Sequence, residues 1–127
     1  MNSDETMKEI LLSAKTIASV GLSSNPEKES YGVAQYLKNQ GYHVIPVNPT
    51  ADEILGEKSY PDLESVPETI DVVQVFRKPE DVPPVVDGAI KVGAKTVWMQ
   101  EGITNAAAAQ TARAAGLQVV MDACMRE

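Results

Sequence analysis

Residues 17–37 read IASVGLSSNPEKESYGVAQYL. An apolar run ends at Gly21, a polar loop follows, and a helical pattern begins near Ser30 with Val33, Ala34 and Leu37 on one face. Strand, loop and helix in this order make a nucleotide-binding unit, because loop N–H groups and the helix N-terminus together receive phosphate. The dinucleotide form of this loop carries three glycines. Here those positions are Gly21, Ser23 and Pro26. The second glycine lets backbone approach a pyrophosphate and the third lets helix and strand pack closely, so two of three requirements are unmet.

The pattern repeats on either side of this stretch. DETMKEILLSAK (residues 4–15) places Met7, Ile10, Leu11 and Ala14 at helical spacing, with Ser3 or Asp4 as the cap. HVIPV (43–47), DVVQVF (71–76), KTVWMQ (95–100) and QVVM (118–121) read as further strands after TIASV (16–20). Helices are expected over 30–40, over 80–93 with Pro83 and Pro84 in the first turn, and from the Asn105 cap to Ala115. Residues 50–69 are weakly patterned and read as a loop with at most one helical turn. Strands alternating with helices of this length predict an α/β, Rossmann-like, doubly wound sheet of five parallel strands in three layers. The expected strand order is 3-2-1-4-5, in one domain spanning residues 1–127.

The formal net charge is −7 and the sequence pI is near 4.7. No basic surplus is available to neutralise nucleic-acid phosphates or an anionic membrane. A single cysteine rules out an internal disulfide framework and suits a reducing compartment. No apolar run reaches the length of a membrane span, and the N-terminal MNSDETMKEIL lacks the order of a signal peptide. A cytoplasmic protein is expected.

In doubly wound sheets ligands bind at the carboxyl ends of the strands, where the strand order reverses. The loops at that edge are GLSSNPEKES, NPT, RKPED and QEGITN. Ser23, Ser24, Asn25 and Lys28 in the first suit a phosphate. After the second strand a nicotinamide site needs an acid for the ribose hydroxyls, but the residues are Val47, Asn48 and Pro49. A phosphorylated ligand other than a nicotinamide dinucleotide follows, with an NAD(P)-linked oxidoreductase as the competing reading. Phe76, Arg77 and Lys78 offer a ring and two cations at the third exit, and Gly102 permits close backbone approach at the fourth. His43, the one histidine, starts the second strand and so lies at the wrong edge for catalysis. Cys124 follows the fifth strand at the correct edge, which leaves open thiol chemistry toward a ligand sulfur. No metal-ligand spacing is present.

GLSSNPEKESYGVAQYLKNQGYHVIPVNP, LGEKSYPDLESVPETIDVVQVFRKPEDVP, GAKTVWMQEGITN and AAGLQVVMDACM resemble the stand-alone CoA-binding proteins. These are compact relatives of the CoA-binding domain of the succinyl-CoA synthetase α subunit. The resemblance runs from about residue 15 to the end and is carried by Glu29-Ser30-Tyr31, VIPVNP, VVQVFR and Gln100-Glu101-Gly102-Ile103-Thr104-Asn105. It implies coenzyme A, or an acyl-CoA, at the strand carboxyl ends. By position, Ser23, Ser24 and Asn25 would hold the pyrophosphate, with Gly21 and the Ser30–Tyr31 helix start beside them and Lys28 on a phosphate. Val47, Asn48 and Pro49 would line the nucleotide side, Phe76 and Arg77 would flank it, and Gln100, Glu101 and Gly102 would close the pantetheine side. Where relatives often carry an Arg between Asp and Cys near the end, this chain has Ala123. The phosphohistidine domain of the synthetases has no counterpart in the sequence, so the resemblance implies binding rather than ligation.

Overall fold

The structure is a computed structural model and describes residues 4–125. The elements, in order, are α1 (Asp4–Ser13), β1 (Thr16–Val20), α2 (Glu29–Asn39), β2 (His43–Val47), β3 (Glu53–Ile54), β4 (Glu57–Lys58), β5 (Val72–Val75), α3 (Val82–Val92), β6 (Thr96–Met99), α4 (Ala106–Ala114) and β7 (Gln118–Val120). The proposed cap Ser3 lies outside the described residues, while Asp4 is the first helical residue. Pro83 and Pro84 sit in the first turn of α3, where their missing N–H groups cost nothing. Asn105 caps α4 by accepting the Ala108 N–H at 3.0 Å. The weakly patterned stretch holds more order than expected. It forms the small antiparallel pair β3–β4 and a 3₁₀ turn, Leu63–Ser65, capped by Asp62.

The five principal strands are all parallel, in the order β2-β1-β5-β6-β7. Counting only these five, the order is 2-1-3-4-5, not the expected 3-2-1-4-5. The physical reason lies in Pro46. A proline has no N–H to donate, and in a sheet it belongs on an outer edge. The Pro46 carbonyl points away from β1 and accepts the Tyr60 N–H at 3.0 Å, so the vacant donor position also faces outward. β2 is therefore an edge, and the wholly buried Val72–Val75 enters the middle, against β1.

This reversal of direction sorts the helices. β1 to β2 moves one way with α2 on one face, and β2 to β5 to β6 to β7 moves the other way with α3 and α4 on the opposite face, as right-handed crossovers require. Ile17, Val44, Val72, Trp98 and Val120 pack under α1 and α2. Ala18, Ile45, Val73, Val97 and Met99 pack under α3, α4 and the Leu63 turn. Strand alternation thus feeds two apolar layers.

At the amino edge, Asp71 ties the α1–β1 junction to β5. Its carboxylate accepts the Lys15 N–H at 2.8 Å and the Thr16 N–H at 3.0 Å, and Lys95 Nζ lies at 3.4 Å. Burial pushes its pKa up, but the two backbone donors and Lys95 outweigh burial and hold it below the ordinary carboxylate value. A folded pKa below the unfolded one gives stability that is present above about pH 3.9 and lost as pH falls through the folded value. Asp71→Asn should cost about 1–3 kcal/mol at neutral pH. Urea unfolding of the variant should also show a shallower loss of stability below about pH 4 than the parent. An identical acid limb in the two proteins would remove this role from Asp71.

Candidate functional site

The reversal of strand order places the crevice between β1 and β5, so the exits that face each other are those of the first and third principal strands. Gly21 leaves β1 with φ +88°, and a Cβ built on it would lie 2.7 Å from the Phe76 carbonyl oxygen and 3.4 Å from Arg77 Cδ. The two chains touch here without side-chain volume between them. The glycine is required twice over, by its left-handed φ and by this approach.

Beyond Gly21 the loop is held by its own polar groups. Ser30 Oγ accepts the Ser23 N–H, Ser23 Oγ accepts the Asn25 N–H, and Asn25 Oδ1 accepts the Glu27 N–H, each at 3.0 Å. Ser24, Asn25 and Lys28 remain exposed and Tyr31 is half-buried. Lys28 stands at the N-cap of α2 in extended backbone, and no side chain caps the helix. Ser30, buried just inside the helix, is committed to the loop. The positive end of an eleven-residue helix therefore opens at the strand carboxyl edge beside a rigid, hydroxyl-bearing loop.

Asn48 links the first and second exits. Its Nδ2 donates to the Leu22 carbonyl at 2.9 Å, and its Oδ1 accepts from the Thr50 N–H at 2.9 Å and the Thr50 hydroxyl at 2.7 Å. The side chain is engaged in positioning the loop. Val47 is buried and Pro49 exposed.

A cleft of about 580 Å³ opens at this edge on the α3 face. It joins Val20, Val47 and Arg77 to Leu63, Val85 and Gly88, so of the sequence-predicted residues it gathers Val47 and Arg77. The Pro61–Glu64 segment and the α3 wall were missed by sequence reasoning. The available signal was Gly88 within a helical pattern, where a Cβ would come within 3.2 Å of Leu63 Cδ1. Acids from Asp62, Glu64, Asp81 and Asp87 share the cleft with Arg77 and Lys91, and Lys91 already lies 3.8 Å from Glu64.

The fourth exit departs from expectation. Gln100 is only 2% exposed. Its Oε1 accepts Gln74 Nε2 at 3.1 Å and the Met125 N–H at 3.3 Å. Gln100 is thus an internal strut under the edge. Ser19 Oγ, Gln74 Oε1 and Gln100 Nε2 are buried without a hydrogen-bond partner among the described residues. Such a buried row, next to the β1–β5 crevice, is costly unless something polar reaches it. Gly102 has φ +84° and open space around its Cβ position, so within the protein its left-handed backbone calls for glycine. Its N–H donates to Asp122 Oδ1 at 2.6 Å, which fastens the β6 exit to the segment after β7. Glu101 is exposed and lines a separate groove along α1. His43 lies at the opposite edge, its ring nitrogens 3.3 Å from Glu57 Oε1 and 3.1 Å from Glu68 Oε1. Among the described residues no group of three or more His, Cys, Asp or Glu could hold a metal ion, and no helix is long and apolar enough to cross a membrane.

Residues 15–126 match the model of the CoA-binding domain family. The chain belongs to that family. It is 41% identical over 120 residues to the uncharacterized protein YneT of Bacillus subtilis, covering 94% of this chain and 89% of that protein. The structure of a hypothetical protein from Pyrococcus horikoshii superposes with a TM-score of 0.95 at 44% identity, covering 98% of this chain and 88% of that one. An ADP-forming acetate–CoA ligase II of Archaeoglobus fulgidus is 31% identical over 83 residues, 64% of this chain but only 12% of the ligase. The relationship to the ligases is therefore to one small portion of a much longer enzyme.

The two loop glycines should respond differently to alanine. Gly102→Ala should cost about 1–2 kcal/mol, the left-handed backbone alone. Gly21→Ala adds displacement of the Phe76 carbonyl and should cost more, about 3 kcal/mol or above. Chemical denaturation of both variants checks the order, and equal losses would mean that the Gly21–Phe76 approach is not a constraint.

Proposed function

We propose that this chain binds coenzyme A at the carboxyl ends of its strands and acts as a binding module without chemistry of its own. The observation that carries this reading is the α2 N-terminus. It has no side-chain cap, opens at the β1–β5 crevice, and is flanked by Ser23, Ser24, Asn25 and Lys28. The diphosphate meets this positive end and the loop. The adenosine portion extends into the cleft between Val47, Arg77 and the Leu63 turn, whose apolar floor suits a base and whose Arg77 is the cation available to the ribose 3′-phosphate among the acids of the rim. The pantetheine arm runs the other way, over Phe76 toward Glu101 and Gly102. The buried Gln100 shapes that path from beneath. The unpartnered atoms of Ser19, Gln74 and Gln100 lie on the α1/α2 face of the sheet and supply polar capacity under the same path.

Nothing in this arrangement favours a nicotinamide dinucleotide. The residue placed to read a ribose in such enzymes is Asn48, whose amide is occupied on both sides. The position of His43, at the far edge between two glutamates, supports a binding rather than a catalytic role.

With a net charge of −7, long-range electrostatics oppose an anionic ligand. Binding must depend on local donors, each charge-assisted bond contributing about 1.5–3 kcal/mol. Calorimetric titration should show CoA binding and no comparable NAD binding. Lys28→Glu and Arg77→Glu should each weaken CoA binding about tenfold or more. Comparable NAD affinity would overturn the ligand, and full CoA affinity in both variants would overturn the placement.

A further inference from the structure

A second hollow of about 480 Å³ runs along α1, walled by Met7, Leu11, Leu12, Tyr42 and Trp98. Leu12 is 77% exposed, an apolar side chain left at the lip of an apolar groove. Only Lys8 and Glu101 bring charge to it. Its far wall is Ala123 and Cys124, and that wall is built into the β6 exit. Trp98 Nε1 donates to the Ala123 carbonyl at 2.8 Å, the Met125 N–H donates to Gln100 Oε1 at 3.3 Å, and Asp122 receives the Gly102 N–H at 2.6 Å. The groove therefore starts where the proposed pantetheine path ends, with Glu101 common to both. From β1 to the β6 and β7 exits is two to three strand spacings, about 10–15 Å, a distance an extended pantetheine arm bridges.

We propose that this groove holds the acyl chain of an acyl thioester of CoA, so that the protein binds medium-chain acyl-CoA in preference to free CoA. This inference rests on the CoA reading above. The lining decides the chemistry of the occupant. A nucleotide or a second diphosphate would find one cation and mostly hydrocarbon, whereas an alkyl chain needs only apolar surface and a dry floor. The α1 wall precedes residue 15 and so lies outside the stretch matched by the family model.

Each methylene fully buried raises affinity about fourfold. Titration of the full chain with CoA, acetyl-CoA and octanoyl-CoA should give octanoyl-CoA at least about tenfold tighter binding than acetyl-CoA, since partial burial of the chain suffices. Leu12→Glu places a charge at the lip of the groove on a side chain that is already exposed, so the fold is retained. In that variant the octanoyl advantage should fall to about threefold or less, while the affinity for CoA itself is unchanged. Equal affinities for acetyl- and octanoyl-CoA in the parent protein, or an octanoyl advantage that survives Leu12→Glu, would overturn the acyl groove and leave CoA binding intact. If none of the three ligands binds, the CoA reading itself falls, and this inference with it.

Discussion

Everything at the carboxyl edge depends on how closely the chain can pass itself where the sheet changes direction. Gly21 and the Phe76 carbonyl occupy space that one additional carbon would fill. Because β1 and β5 are neighbours and send their chains to opposite faces, the gap where they part is filled at this point by backbone. The loop that follows owes its position to this contact and to Asn48, which grips Leu22 from the β2 side. A loop fixed at both shoulders presents its hydroxyls and the α2 N-terminus in one arrangement, which reduces the ordering a ligand must impose.

The polar side chains around this edge divide their work in a way that residue type alone does not reveal. Ser23, Asn25, Ser30 and Asn48 each spend hydrogen-bonding capacity on the protein. What stays outward is Ser24, Lys28 and the backbone of the helix start. The acidity of the cleft rim has a similar internal logic. Asp62 is occupied capping its own turn, and hydrogen bonds from Ser65 hold its carboxyl below the ordinary value.

Much of the fold was legible because it is written in short-range patterns. β1 and β2 fell where the apolar runs placed them, β5 and β6 lost a residue at either end and β7 one at its end, and Asn105 began its helix for a local reason. Strand order was not legible from these patterns, since a buried run does not say which run it will pair with. Pro46 was the single residue that carried that information, through a hydrogen bond it cannot make. Two-residue strands such as Glu53–Ile54 are below what periodicity can register. At the carboxyl edge, the first loop was legible as a loop between strand and helix because that order is local in the sequence. The hydrogen bonds of Gln100 and Gly102 were not legible because their partners, Gln74 and Asp122, are far away in the chain. The Leu63 turn and the α3 wall were missed for the same reason.

The way β2 ends the sheet also bears on how the molecule behaves among its neighbours. An open strand flank is a template on which foreign strands can add, the first step of ordered aggregation. Here Tyr60 folds back along β2, bridging Val47 and exchanging hydrogen bonds with Pro46 and Asn48, and Pro46 itself supplies no donor. The opposite flank is β7, three residues long, too short to recruit an incoming strand with any persistence. A sheet of five strands with both flanks blunted in this way offers little purchase for lateral growth.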